Sequence, residues 1–113
     1  MSEITTHVLD TSTGRPAAGM PVILEIESSH NEWNELGRGK TDSDGRLREL
    51  LAPGSLKEGT YRLTFDSGAY FASRKVAAIY PRVCVIFTVL RANEHHHIPL
   101  LLGPFGYTTY RGS

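Results

Sequence analysis

Residues 60–66 read TYRLTFD, in which Tyr61, Leu63 and Phe65 alternate with Thr60, Arg62, Thr64 and Asp66. Successive side chains on a strand point to opposite faces, so this alternation predicts a strand with one face in a core and the other in solvent. Upstream, PVILEIES at 21–28 repeats the pattern with Val22, Leu24 and Ile26. Downstream, RVCVIFTVL at 82–90 is nearly continuous in Val, Ile and Phe. That run predicts a central strand covered on both faces, with Cys84 packed inside it as a small hydrophobe.

The rest of the chain has the same character. ITTHVLD at 4–10, WNELGRGKT at 33–41 and a short strand or extended edge RLREL at 46–50 are separated by the turn clusters TSTGRPAAG (11–19), SDGR (43–46) and APGSLKEG (52–59). HHHIPLLL at 95–102 and FGYTTYRG at 105–112 form a last pair around a tight turn at Gly103 and Pro104. Short strands punctuated by Gly and Pro predict an all-β sandwich or barrel. AYFASRKVAA at 69–78 is the exception: alanine-rich, without alternation and stopping before Pro81, it predicts one short helix.

The 113 residues suit a single domain, 1–113, around one core. Twelve basic residues balance twelve acidic ones and neither sign forms a run, so there is no electrostatic footprint for nucleic acid or a membrane surface. A small neutral or singly charged ligand stays open. One cysteine excludes an intramolecular disulfide. MSEITTHVLD has no basic segment followed by an apolar one, and no apolar run is long enough to cross a bilayer, so the expectation is a soluble, cytoplasmic protein.

Three features do not fit a plain structural sandwich. His7 lies in an apolar-flanked strand and shares a face with Thr5 and Leu9. Alone it reads as a hydrogen-bonded structural residue. In the triplet His95, His96 and His97, alternation puts His95 and His97 on one face and His96 on the other. Two same-face histidines fall short of the three protein ligands that a catalytic zinc usually has, and no CxxC or HExxH spacing accompanies them, so neither metal nor cofactor is expected and acid–base chemistry is. The third feature is GYTTYRGS at 106–113, which gathers aromatic, guanidinium and hydroxyl groups where a frayed terminus is the default.

THVLDTSTGRPAAGMPV (6–22) and HHHIPLLLGPFGYTTYRGS (95–113) resemble the amino- and carboxyl-terminal signatures of the 5-hydroxyisourate hydrolases of the transthyretin-related family. TDSDGRL (41–47) and IYPRVCVIF (79–87) resemble family segments in the expected order, so the likeness covers nearly the whole chain. Where the family pattern reads HYHVPLLLSP, this chain has His96 for the Tyr, Ile98 for the Val and Gly103 for the Ser. His96 should face away from His95 and His97, so its change concerns packing or surface.

The resemblance implies a transthyretin-like sandwich of two antiparallel sheets with one short helix, assembled as a homotetramer, a dimer of dimers, with sites in the channel between dimers. It implies hydrolysis of 5-hydroxyisourate to 2-oxo-4-hydroxy-4-carboxy-5-ureidoimidazoline in urate catabolism. Carried over residue by residue, it implies His7, Arg46, His97 and Ser113 as catalytic and Tyr110, Arg111 and Gly112 as substrate-binding. These types suit the chemistry: a neutral imidazole accepts a proton from attacking water, and a guanidinium stabilises the charge that develops on a carbonyl oxygen. A nucleophilic role for Ser113 lacks an acid to orient a histidine. His7, Leu9, Pro99 and Tyr110 make sense lining a shared cleft. The rival reading is a transthyretin-like small-ligand carrier, which lacks the catalytic histidines and the YRGS ending, and a second rival is a histidine-cluster metal binder.

Overall fold

The structure, a computed structural model, describes residues 3–113. In chain order its strands are β1 (Ile4–Asp10), β2 (Arg15–Pro16), β3 (Pro21–Ser29), β4 (Glu32–Lys40), β5 (Arg46–Leu47), β6 (Gly59–Phe65), β7 (Val83–Val89), β8 (His96–Leu102) and β9 (Tyr107–Thr109). The helix α1 (Ser67–Ser73) lies between β6 and β7. One sheet runs in the order β4, β3, β6, β7. The other runs β2, β1, β8, β9, with β5 also paired to β1.

Alternation decides what each sheet buries. Val22, Leu24 and Ile26 stand opposite Phe65, Leu63 and Tyr61, and Phe65 and Leu63 stand in turn opposite Val83 and Val85. All eight are buried, and they meet Ile4 and Val8 of β1 and Ile98, Leu100 and Leu102 of β8 in one cluster. Each large apolar side chain so buried stabilises the fold by about 1.5–3 kcal/mol.

The two-sheet sandwich with a single helix is as the sequence predicts, with four refinements. β1 and β8 pair in parallel, so their sheet is mixed. β7 is an edge strand, not a central one: Val83, Val85 and Val89 are buried while Cys84, Ile86 and Thr88 are exposed, Ile86 by 58 %. Among the described residues no strand pairs beyond it, and Cys84 is an exposed free thiol and not a core residue. The helix ends at Ser73, well before Pro81, because Lys75 takes a left-handed φ of 58° and the N–H groups of Lys75 and Val76 turn back to the carbonyls of Ala72 and Phe71. RLREL contributes only Arg46 and Leu47 to a strand. Among the described residues, no helix is long and apolar enough to cross a membrane.

One buried polar pair ties α1 to β1. Tyr70 Oη donates to Asp10 Oδ2 over 2.8 Å, and the Ser12 backbone N–H donates to Asp10 Oδ1 over 2.9 Å. Burial pushes the Asp10 carboxyl up, but the hydrogen bonds from Ser12 and Tyr70 outweigh it and hold the group below its ordinary value. Burial, and then the bond to Asp10, push Tyr70 up to about 12. Because the native carboxyl is depressed, its contribution is present above about pH 4 and is lost as pH falls through the native value. Tyr70→Phe should therefore destabilise the protein by about 1–3 kcal/mol at neutral pH. Urea denaturation at fixed protein concentration checks this, and a Tyr70→Phe variant as stable as the parent contradicts it.

Candidate active site

The face of β1 and β8 turned away from the core carries Thr5, His7 and Leu9 alongside His97, Pro99 and Leu101, paired in that order by the parallel register. Thr5 is buried, and its hydroxyl lies 2.8 Å from His97 Nδ1 and 2.9 Å from His95 Nε2. The two imidazoles, with ring centroids 6.4 Å apart, are thus joined through one hydroxyl. His96 points inward as alternation requires; it is buried, and its Nδ1–H donates to Glu94 O over 3.0 Å.

A tight turn delivers Arg46. Asp42 Oδ1 accepts the N–H groups of Asp44 and Arg46 at 2.8 and 2.9 Å, and the Gly45 carbonyl accepts the N–H of Val8 at 2.8 Å. The backbone N–H of Arg46 is the main cause, ahead of that of Asp44, of the Asp42 carboxyl lying below its ordinary value. Gly45 sits at φ +76°, and a Cβ there would meet Val8 O at 2.4 Å, so only glycine lets the turn press against β1. The result is a bridge in which Arg46 faces His7. His7 Nε2 lies 2.9 Å from Asp44 O. A carbonyl only accepts, so Nε2 carries the hydrogen and donates it.

The carboxyl-terminal residues are docked. Gly112 N–H donates to His97 O over 2.7 Å, and a Cβ on Gly112 would lie 2.6 Å from His97 Cδ2, so the chain crosses the imidazole where a side chain has no room. Ser113 is thereby brought into a cleft of about 160 Å³ that it lines with Arg46, His97, Thr5, Thr6, Arg48 and His95. Burial first, then the charges of Arg46, His95 and His7, push His97 below the ordinary histidine value. At neutral pH its ring is uncharged and available as a base.

Of the residues predicted from sequence, Arg46, His97 and Ser113 line the cleft, Gly112 packs on His97, and His7 stands close enough for its charge to act on His97. Two stand elsewhere within the chain. Arg111 pairs with Glu94 at 3.5 Å and donates to His95 O at 3.3 Å, and Tyr110 is 54 % exposed. Thr5, Thr6 and Arg48 also line the cleft and are not among the predicted site residues, and His95, singled out for sharing a face with His97, joins them there. The shared face of Thr5 and His7 was visible in the alternation, but its proximity to His97 depends on the parallel pairing of β1 and β8. Among the described residues, no three His, Cys, Asp or Glu side chains converge as a metal site. A larger cleft of about 470 Å³ on the other sheet is lined by Arg38, Lys40, Asp66 and Arg82 among apolar residues. It contains no imidazole, and the smaller cleft is the one where base, cation and hydroxyl converge.

Residues 4–112 match the HIUase/Transthyretin family. The chain is 46 % identical over 113 residues to the 5-hydroxyisourate hydrolase of Mus musculus, covering 99 % of this chain and 96 % of the relative. Among solved structures it is similar to the 5-hydroxyisourate hydrolase of Klebsiella pneumoniae, with a TM-score of 0.84, 35 % identity and coverage of 97 % of this chain and 98 % of the other. It is also similar to transthyretin from Sparus aurata, with a TM-score of 0.92, 26 % identity and coverage of 99 % and 97 %. Backbone shape thus fits hydrolase and transthyretin alike, so the side chains in the cleft must distinguish them.

The electrostatics of that cleft give a direct expectation. In a histidine-labelled NMR titration, His97 should gain its proton at a pH below the ordinary value of about 6.5. A midpoint at or above that value contradicts the neutral-base assignment.

Proposed function

The chain belongs to the HIUase/Transthyretin family, and within it we propose that it is the hydrolase, converting 5-hydroxyisourate to 2-oxo-4-hydroxy-4-carboxy-5-ureidoimidazoline in urate catabolism. The observation that carries this reading is the meeting of His97, Arg46 and Ser113 in one cleft, with His7 beside Arg46. A carrier needs an apolar pocket; imidazole, guanidinium and hydroxyl groups aimed at one small volume suit bond cleavage.

Water attacks a ring carbonyl, and its proton passes to the unprotonated nitrogen of His97. The new C–O bond makes a tetrahedral oxyanion, and Arg46, always cationic, stabilises it. Collapse breaks the carbon–nitrogen bond. The carbonyl carbon becomes the product's carboxylate, and the released nitrogen takes up the proton and becomes part of the ureido group. Ser113 hydrogen-bonds the substrate or the attacking water. His7, whose Nε2–H is held by Asp44 O, contributes its other ring nitrogen to proton handling.

The same reading makes the working form a homotetramer, a dimer of dimers, in a cytoplasmic location. A cleft of about 160 Å³ is smaller than the roughly 300–1,000 Å³ usual for small-molecule sites, which suits a site completed by a second copy. The exposed apolar residues Ile86, Leu90, Phe105 and Tyr110, together with the open edges of β7 and β9, are surfaces that assembly covers. In such a channel Tyr110 and Arg111 would complete the substrate-binding wall.

His7→Ala, Arg46→Ala and His97→Ala should each lower turnover of fresh 5-hydroxyisourate by about 10²–10⁴-fold while light scattering still reports the parent assembly. Deleting residues 110–113 should abolish turnover without unfolding the sandwich, since β6 and β7 are untouched. His30→Ala, at an exposed turn position, is the control and should match the parent. Parental turnover in all three alanine variants, or in the deletion, contradicts the assignment of those residues.

A further inference from the structure

The hydroxyl of Thr5 touches both His95 and His97, and the mechanism above leaves it without a task. Resting on the hydrolase reading, we propose that Thr5 is a positioning residue that sets which nitrogen of His97 carries the proton, and that His95 holds the Thr5 hydroxyl hydrogen in the orientation this requires.

The argument is one of counting. A threonine hydroxyl has one hydrogen to donate, and a neutral imidazole has one N–H and one lone pair. Thr5 Oγ1 has His95 Nε2 at 2.9 Å and His97 Nδ1 at 2.8 Å, and it is buried beneath the cleft. If the hydroxyl hydrogen goes to His95 Nε2, the His97 Nδ1–H donates to Oγ1, and the lone pair of His97 is left on Nε2. If it goes to His97 Nδ1, the lone pair is consumed there and Nε2 becomes a donor, unable to take a proton from water.

The surroundings favour the first arrangement. Arg46 lines the same cleft, and its charge acts on His97, so an outward lone pair is attracted by the guanidinium where an outward N–H would be repelled. A half-turn of the ring about χ2 would put Cδ2 where Nδ1 now meets the hydroxyl and lose that hydrogen bond, so the ring keeps Nδ1 on Thr5. His95 is exposed, and it meets the hydroxyl through Nε2, which must then be its unprotonated nitrogen. The chain of bonds therefore runs from His97 Nδ1–H to Thr5 Oγ1–H to His95 Nε2. During water attack the proton arrives at His97 Nε2 while Nδ1–H remains bonded to Thr5, so the imidazolium keeps a hydrogen-bond acceptor at Nδ1.

Thr5→Val keeps the shape of the side chain and removes the hydroxyl, Thr5→Ser restores it, and His95→Phe removes the acceptor at an exposed position. Ring ¹⁵N chemical shifts of His97 distinguish a protonated from an unprotonated Nδ1 without any substrate. In the parent protein and in Thr5→Ser, Nδ1 should be protonated and Nε2 not. In Thr5→Val the preference should weaken. In His95→Phe the protonated share of Nδ1 should fall, because the hydroxyl is then free to donate to His97 Nδ1. Turnover in Thr5→Val should fall about 10-fold through kcat with KM nearly unchanged, and Thr5→Ser should recover most of it. His95→Phe reads the same tautomer should Thr5→Val not fold. Protonated Nε2 in the parent, or an unchanged tautomer balance between parent and His95→Phe, overturns the proposal. The predicted tautomers in a protein that leaves 5-hydroxyisourate untouched would sink the hydrolase reading and leave the hydrogen-bond relay standing.

Discussion

Seven residue pairs, from Ile4 with His96 to Asp10 with Leu102, hold β1 and β8 in parallel register. On the inner face this ladder sets Val8 beside Leu100 and closes the core; on the outer face it sets Thr5 beside His97 and builds the cleft. A slip of one residue would turn Ile4 and Val8 out to solvent and drive His7 into the apolar interior, so the energy of burial that stabilises the sandwich also fixes the geometry of the chemistry. The buried hydroxyl of Thr6, which donates to Ile98 O over 2.6 Å, pins the same register.

Two further segments meet this ladder, and each relies on a glycine. Gly45 lets the turn that carries Arg46 press on Val8, and Gly112 lets the last residues cross His97. Both are close approaches of backbone to a neighbour, at 2.4 Å from Val8 O and 2.6 Å from His97 Cδ2 for an added Cβ. Arg46 and Ser113, far apart in the chain, reach one volume because neither approach is blocked. The burial of the His97 ring and the cation beside it act in the same direction, favouring the neutral imidazole that the proposed deprotonation of water requires.

Much of this was legible in the residues. The alternation in ITTHVLD, PVILEIES and TYRLTFD located β1, β3 and β6 with their buried faces, because which face is buried is a local property of a strand. The rank of a strand within its sheet is set by partners elsewhere in the chain. Val83–Val89 has the composition of a central strand and lies at an edge, and Cys84 is exposed for the same reason. The end of α1 turned on the backbone of Lys75, a residue without the conformational freedom of glycine, and so left no composition signal. Arg46, His97 and Ser113 were found through motif resemblance. His95 stood out in the sequence as sharing a face with His97, but the hydroxyl that joins them comes from Thr5 through the parallel pairing, which hairpin logic does not anticipate.

Likeness of backbone to a transthyretin and to a hydrolase does not by itself fix activity, and the proposed mechanism rests on the imidazoles and guanidinium of this cleft. The most direct measurement is the ultraviolet band of freshly generated 5-hydroxyisourate followed with and without the purified protein. The account predicts a decay rate that rises in proportion to protein concentration. Decay at the spontaneous rate, with the protein folded and assembled, would contradict it and favour a carrier.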